Sequence, residues 1–538
     1  MLSNRLDYIA ALFQEADILH WFISPGSRNA PIVAALLRNG HFQLHSFPDE
    51  RACAFAAMGH ALLERHPAAF LCTSGSALAN AYPAVLESYY QRVPLLIVSA
   101  DRPANRIDQW DGQTIRQQDF FGSYSRGSFQ IDVRHDSENI ISKGLYDCIR
   151  AAITKIPGPA HVNLALSEPI YEGVHQLPEK TIEVPAFMYA APPFEPVFTE
   201  SLKPYIQGKK VALLIGQHPK SPLLNSILNI LQEHLPLFAD VTSLQLTVGF
   251  DAWDWKIYGR DIPDELAPDL IITMGMGLIS KPMKEALIRW KPQHLHVGLH
   301  AEIGDPFQTE PQAWICHEAD FVGALFELYT NEAIPHTSKL YKEQWQTFLE
   351  AQPLEISQLD PPFAEEATFV RAVFSHLNED CHLHLGNSMT VRYGSWAGKT
   401  RAHVFSNRGV SGIDGCLSTA IGDALANPTR HVIAILGDVS SVYDSNALWT
   451  DFPPNFHVFI LNNSGGRIFD FIKGPNALPE LRPFIHTPRY FDFQKMAEFY
   501  TLTYAKRTFG VAMAEADTLL SIDNTYQIIE LIPSDLPN

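Results

Sequence analysis

Cysteine is scarce in this chain: six in 538 residues (Cys53, Cys72, Cys148, Cys316, Cys381 and Cys416), scattered and without a CxxC pair. That spacing excludes a disulfide framework and a zinc site, which need clustered ligands, and points to reduced core residues. Long apolar runs are missing too. The longest, such as "VPLLIVSA" and "HVIAILG", reach strand length, far short of the roughly 20 residues that cross a bilayer. The N-terminal stretch "MLSNRLDYIAALFQEADILHWF" carries acids within its apolar face and no small-residue cleavage site, which argues against a signal peptide and for a cytoplasmic protein. Basic charge is in deficit: 40 Lys and Arg face 59 Asp and Glu, for a formal charge of −19. Such a balance opposes nucleic-acid binding, so any anionic ligand must be held by a local cluster of cations. No short-period repeat or low-complexity tract appears, and no stretch completes the GxGxxG fingerprint of a dinucleotide site.

What is present is ample core material, 46% hydrophobic against 18% charged residues, at a length that suggests three domains. From residue 5 to about 100 the pattern alternates between helix and strand. Leu6, Ile9, Ala10 and Phe13 recur at helical spacing, and short apolar runs follow at 19–23, 42–47, 69–72 and 94–100. This predicts a parallel α/β sheet. The proline-rich "LPEKTIEVPAFMYAAPPFEPVF" reads as a linker. A second alternation runs from "KKVALLIG" through "PDLIITMGMGL" to "QHLHVGLH"; a third, after the proline-marked "EAQPLEISQLDPPFAEEATF", includes "CHLHLG", "HVIAILG" and "FHVFILNN". The expected architecture is three parallel-sheet α/β domains, at 1–180, 190–350 and 360–538.

Two stretches of the third segment carry the most chemistry. "AILGDVSS" and "ILNNSGGRIF" each read as a strand ending in a turn, and in a parallel sheet strand C-termini line the crevice where ligands bind. Asp438, Asn463 and the carbonyl of Gly465 make a hard oxygen set of the kind magnesium takes beside a diphosphate. Ser440 and Ser441 would open a helix whose amides face the phosphates. Either stretch alone reads as an ordinary turn and helix cap. Their pairing about 25 residues apart, each behind a strand, is similar to the metal and diphosphate signature of thiamine-diphosphate enzymes, with Gly437-Asp438-Val439 departing from Gly-Asp-Gly at its third position.

The other motifs ask for anions or for an acid. "ISPGSRNAP" leaves a strand through a turn into a helix, with Ser27 and Arg28 at the helix start. "SADRPANRIDQWDGQTIRQQDFFG" is a long polar connection containing Arg102, Arg106, Gln113 and Arg116, where Asp101 and Arg102 read equally well as a surface ion pair. "GMGLISKPM" offers Lys281, a residue type more often solvated than functional. "LGNSMTVRYGSW" supplies Asn387, Ser388 and Arg392, and "SNRGVSGIDGCLSTAIGDA" supplies Arg408 and Ile413. In "FPDERACAFAAMGHAL", Asp49 reads as an N-cap and Glu50 as a first-turn acid.

Taken together, "ISPGSRNAP", "FPDERACAFAAMGHAL", "CTSGSALAN", "SADRP", "GQTIRQ", "GNSMTVR", "SNRGVSGIDG", "GDVSSVYDSNAL" and "NNSGGRIF" resemble the 2-succinyl-5-enolpyruvyl-6-hydroxy-3-cyclohexene-1-carboxylate synthase family, the thiamine-diphosphate enzymes of menaquinone biosynthesis. The likeness runs through the first and third segments in order and through "GMGLISK" in the middle one. It implies a transferase that decarboxylates 2-oxoglutarate on thiamine diphosphate and adds the succinyl carbanion to isochorismate. Both substrates are dianions, which matches the many site arginines in an acidic chain.

By this resemblance Glu50 activates the cofactor through its aminopyrimidine. Asp438, Asn463 and Gly465 hold Mg2+ (or Mn2+), and Asn387, Ser388, Gly437, Val439 and Ser440 line the cofactor. Ile413 props the cofactor in a bent shape, above an apolar floor of Ile468 and Phe469. Arg392 and Ser388 take the succinyl end, with Arg408 near the reacting centre. Ser27, Arg28, Arg102, Gln113 and Lys281 receive isochorismate. A homodimer, with a tetramer as the larger option, is implied as well. The rival readings are another thiamine-diphosphate enzyme, such as an acetolactate synthase or a 2-oxoacid decarboxylase, and a non-catalytic α/β protein that kept the fold.

Overall fold

A computed structural model of the chain describes residues 2–174, 182–189, 194, 196–244, 247–330, 337–351, 354–470, 478–489 and 491–534. Three sheets are found among these residues, parallel in every pairing whose register is described. The first contains β1 (His20–Ile23), β2 (Gln43–Ser46), β3 (Ala68–Cys72), β4 (Leu95–Asp101), β5 (Gly127–Asp132) and β6 (Pro159–Ala165), in the order β2-β1-β3-β4-β6-β5. Its inner strands β3, β4 and β6 are buried along their whole length, as expected of parallel strands covered by helices on both faces. That is why they read as unbroken apolar runs rather than as alternation.

The second sheet contains β7 (Val211–Ile215), β8 (Leu237–Ala239), β9 (Leu270–Met274), β10 (Gln293–Gly298) and β11 (Gln312–Ile315), in the order β11-β10-β9-β7-β8. The third contains β12 (Cys381–Leu385), β13 (His403–Phe405), β14 (His431–Gly437), β15 (Phe456–Leu461), β16 (Tyr504–Thr508) and β17 (Ile528–Ile532), in the order β13-β12-β14-β15-β17-β16. The strands expected at 19–23, 42–47, 69–72 and 94–100 are β1 to β4, and the α/β class is as the alternation predicts. The linker expected over residues 177–198 falls partly outside the described residues, and 182–189 carries no helix or strand. The second proline-marked stretch is not linker throughout. Its end, from Phe363, belongs to a helix, Phe363–His376, with Phe363, Glu366, Ala367, Val370, Val373 and Phe374 on its buried face.

The chain divides into two compact units. One comprises Met1–Pro192 with Asn407–Thr429 and Ser440–Phe456; the other comprises Pro193–Ser406, Arg430–Val439 and His457–Asn538. In the first unit the helix Glu50–Glu64 packs along the helix Cys416–Ala426. A Cβ on Gly59 would lie 2.0 Å from the carbonyl oxygen of Thr419, and one on Gly422 would lie 2.0 Å from that of Ala56. Only glycine lets the two backbones meet this closely. The alanine-rich run behind Glu50 is therefore the near face of a helix pair. In the second unit Trp255 and Tyr258 pack with tilted rings against Trp396, at 5.2 Å and 4.9 Å between ring centroids, so that residues of the middle segment join the core of the third sheet. All six cysteines are buried and none forms a disulfide, and no helix among the described residues is long and apolar enough to cross a membrane.

Candidate active site

Strands β14 and β15 are neighbours, so the turns that follow them emerge side by side. Asp438 follows β14 directly and opens a six-residue helix, Asp438–Tyr443; the helix therefore starts two residues before Ser440, where the sequence placed it. The carboxylate of Asp438 accepts from the amide of Val439 at 2.7 Å and from that of Gly465 at 2.8 Å. Gly465 has φ +134°, a conformation that side chains rarely adopt and that lets the turn fold back onto the acid. Burial pushes the Asp438 carboxyl up to about 6, against the opposing amides of Val439 and Gly465.

Asn463 donates through Nδ2 to Oε1 of Glu366 at 2.8 Å, while its Oδ1 is buried without a hydrogen-bond partner. A buried acceptor left unpaired costs roughly 1–3 kcal/mol, and beside a buried carboxylate it has the chemistry of a hard-cation ligand. Among the described residues no three His, Cys, Asp or Glu side chains gather as a metal site. A divalent ion at this place would rely on amide and carbonyl oxygens as well as Asp438. The donor set thus fits a magnesium diphosphate.

Around this turn Ser388 follows β12 with φ 73° and ψ −124°. A non-glycine residue held there stores about 1–3 kcal/mol, and such strain gathers at functional sites. Asn387 is buried beside it, and Arg392, one turn along the helix Met389–Ala397, donates to the Ser388 carbonyl. The Arg392 charge also reaches Asp254, whose carboxyl is pushed up to about 6, chiefly by burial, against a hydrogen bond from Ser280. Ile468 packs against the core of the third sheet, and Phe469 lies 6.0 Å from the His486 ring. Lys281, at the first position of the helix Lys281–Trp290, is 84% exposed, and Glu285 lies 3.6 Å away.

The first unit holds the other predicted residues. Asp49 caps its helix by accepting from the amide of Ala52 at 3.0 Å. Glu50, half-buried, accepts from Nδ2 of Asn80 at 3.0 Å. Arg28 and Arg102 line one cleft of about 640 Å3 together with Arg106, His135 and the acids Asp111, Asp132 and Glu168. Arg28 lies in the turn that leads into the helix Ala30–Asn39, two residues before its first residue. It donates to the Leu166 carbonyl at 3.0 Å and pairs with Glu168 at 3.1 Å. Arg102 donates to Oγ of Ser74 at 2.8 Å and to the carbonyl of Gln113 at 3.0 Å, while Gln113 returns its amide to the Ser74 carbonyl at 3.2 Å. Ser27 is exposed, and its carbonyl accepts from the Tyr171 hydroxyl at 3.0 Å.

Asp101 is no surface ion pair. It is buried, accepting from the amide of Arg102 at 2.7 Å and from Asn163 at 2.8 Å. Arg408 stands at the head of a loop pinned by Glu87, which accepts from the amides of Gly409 at 2.6 Å and Val410 at 2.8 Å. Burial raises the Glu87 carboxyl, and the loop amides and the Arg408 charge oppose the rise. The Ile413 carbonyl accepts from Oγ of Ser440 at 2.8 Å. Sequence reasoning passed over Glu87, Asp254 and Glu366. The signal for Glu366 was an acid at the i+3 position of an apolar helical stripe that starts at Phe363.

Comparison with known proteins places these features. The family description "Thiamine pyrophosphate enzyme, N-terminal TPP binding domain" matches residues 4–122, a span that contains Glu50, Arg102 and Gln113. The 2-succinyl-5-enolpyruvyl-6-hydroxy-3-cyclohexene-1-carboxylate synthase of Cytophaga hutchinsonii is 35% identical over 516 residues, covering 90% of this chain and 87% of that protein. The enzymes of the same name from Flavobacterium psychrophilum (33% identical, 92% of this chain and 90% of theirs) and Desulfotalea psychrophila (33%, 90% of each) are similar over the same extent. The chain belongs to this synthase family. The 2-succinyl-5-enolpyruvyl-6-hydroxy-3-cyclohexene-1-carboxylate synthase family is one of enzymes that use thiamine diphosphate, so the resemblance read from the motifs holds over about 90% of the chain.

Proposed function

We propose that the protein is a transferase of menaquinone biosynthesis that joins 2-oxoglutarate to isochorismate with loss of carbon dioxide, giving 2-succinyl-5-enolpyruvyl-6-hydroxy-3-cyclohexene-1-carboxylate. The observation that carries this reading is the buried, unpartnered Oδ1 of Asn463 beside the buried Asp438, in a chain of this family. Asp438, Asn463 and the Gly465 carbonyl hold Mg2+, or Mn2+ in its place, with the diphosphate; Asn387, Gly437, Val439 and Ser440 line the same end. Ile413, Ile468 and Phe469 give the apolar surround. Thiamine diphosphate, when bound, supplies the acidic carbon at which a 2-oxo acid can lose carbon dioxide. Glu50 holds a proton at the aminopyrimidine, a task that suits a carboxyl only partly open to water.

Arg392 and Ser388 orient the distal carboxylate of 2-oxoglutarate, and Arg408 stands by the reacting carbonyl. Ser27, Arg28, Arg102, Gln113 and Lys281 receive isochorismate. The cleft shared by Arg28 and Arg102 supports that assignment, since two guanidinium groups lining one cleft suit a dicarboxylate. Three domains with limits near 1–180, 190–350 and 360–538, a cytoplasmic location and a homodimer or homotetramer complete the reading.

The test is to supply thiamine diphosphate, Mg2+ and 2-oxoglutarate with and without isochorismate, following isochorismate consumption and carbon dioxide release. Coupled consumption of both substrates is expected. Rapid turnover of pyruvate without isochorismate would make the protein a different thiamine-diphosphate enzyme. Failure to bind thiamine diphosphate in a Mg2+-dependent way would make it a non-catalytic relative.

A further inference from the structure

The amide of Asn463 can be turned two ways, and only one of them offers oxygen to a cation. Behind it stands Glu366, a buried acid from the helix Phe363–His376. Both of its carboxylate oxygens are occupied by donors: Oε1 takes the Asn463 Nδ2 at 2.8 Å, and Oε2 takes the Tyr393 hydroxyl at 2.6 Å. Tyr393 is itself buried, and burial pushes the Glu366 carboxyl up to about 7, against the hydrogen bonds from Tyr393 and Asn463. A carboxyl whose two oxygens both accept has no proton to offer the amide. It therefore tolerates the NH2 face of the amide and rejects the oxygen face.

We infer that Glu366, braced by Tyr393, is a positioning residue that fixes the Asn463 amide so that Oδ1 points away from it, towards the cation site shared with Asp438. The inference rests on the metal reading given above. Nothing in the geometry requires a buried acid for packing alone, because leucine or methionine would fill the same volume in an apolar helix face without the cost of desolvating a charge. The groups holding a metal ligand in register typically govern affinity by about 10–100-fold.

The experiment is a calorimetric titration of Mg2+ into the full-length protein with thiamine diphosphate and no substrate, at pH 8, on the wild type, Glu366→Gln, Asn463→Asp and the double variant. Glutamine at 366 offers a donor as well as an acceptor, so it no longer dictates which way the Asn463 amide turns; Mg2+ affinity should fall about tenfold or more. In Asn463→Asp two carboxylates face each other. Adding Glu366→Gln to that background restores a donor opposite an acceptor, and here the same substitution should raise Mg2+ affinity about tenfold. A residue that merely stabilises the fold would not reverse sign with its neighbour. If Glu366→Gln alters affinity equally in both backgrounds, or in neither, the positioning role is refuted. Should Glu366→Gln alone fail to fold, the rise in Mg2+ affinity from Asn463→Asp to the double variant remains the test, and no rise refutes the positioning role. Absence of Mg2+-dependent cofactor binding in the wild type would overturn the metal reading itself, a failure distinguishable from the first because it precedes any substitution.

Discussion

Replacing Glu50 by glutamine separates chemistry from folding. The side chain keeps its size, and its one described partner, Nδ2 of Asn80 at 3.0 Å, can still find an amide oxygen. The structural loss is the negative charge in the first turn of the helix Glu50–Glu64, worth under about 1 kcal/mol for a half-exposed group. The cap of that helix is Asp49, which is untouched. If Glu50 handles a proton, its removal should cost about 100-fold in turnover, equivalent to about 2.7 kcal/mol of barrier. The two effects differ severalfold and are read separately, by isochorismate consumption at saturating substrates and by denaturant unfolding of the same sample. A Gln variant that keeps more than about a tenth of wild-type turnover would sink the proton role. One that unfolds would mark Glu50 as a structural acid.

Arg102→Ala should raise the KM for isochorismate while leaving that for 2-oxoglutarate within about twofold, since one charge-assisted contact contributes roughly 1.5–3 kcal/mol; an effect on 2-oxoglutarate alone would reverse the substrate assignment. Glu87→Gln should loosen the Gly409–Val410 turn beside Arg408, lowering kcat and sparing thiamine-diphosphate affinity, as steady-state kinetics and calorimetry would report together. Gly59→Ala should destabilise the first unit by at least about 1–3 kcal/mol, because its Cβ meets a backbone carbonyl that cannot swing aside; an unchanged melting curve would mean the two helices are farther apart. The rings of His20, His45 and His60 lie close together, 4.0 Å separating the centroids of His20 and His60, and burial lowers His45 to about 4 and His60 to about 3. Their folded values lie below the unfolded one, so the stability they contribute is intact above about pH 6.5 and lost as pH falls towards 4. The buried Asp444, raised to about 6, acts in the opposite sense. His60→Gln should therefore flatten the dependence of unfolding free energy on pH between 6.5 and 4.5 by about 1.4 kcal/mol per unit, and an unchanged slope refutes the burial argument.

The legible parts of this molecule were those encoded locally. Strand, turn and acid occur within eight residues in "AILGDVSS", and a parallel α/β pattern already implies that such turns share one edge of a sheet. Asp438 and Gly465 duly meet at 2.8 Å. Features that depend on distant partners were invisible. The alanine run at 52–57 needs Gly422 to make sense of it, and nothing in either stretch names the other. Glu366 sits where prolines at 361 and 362 made the chain look like linker, and its role appears only when the tyrosine and asparagine that flank it are known. Asp101 looked solvated because arginine follows it, yet Asn163 of β6 encloses it.

The helix pair made by Glu50–Glu64 and Cys416–Ala426 also bears on biosynthesis. Both helices belong to one compact unit, yet the ribosome delivers them far apart. Once Pro192 has emerged, roughly 230 further residues must be made before Ala426 appears, which at 5–20 residues per second takes about 10–50 s. For that interval the glycine and alanine face of the earlier helix has no lid. The order of synthesis thus leaves the nascent N-terminal region incomplete until most of the rest of the protein exists, and a chaperone that shields small apolar faces would act on it during that window.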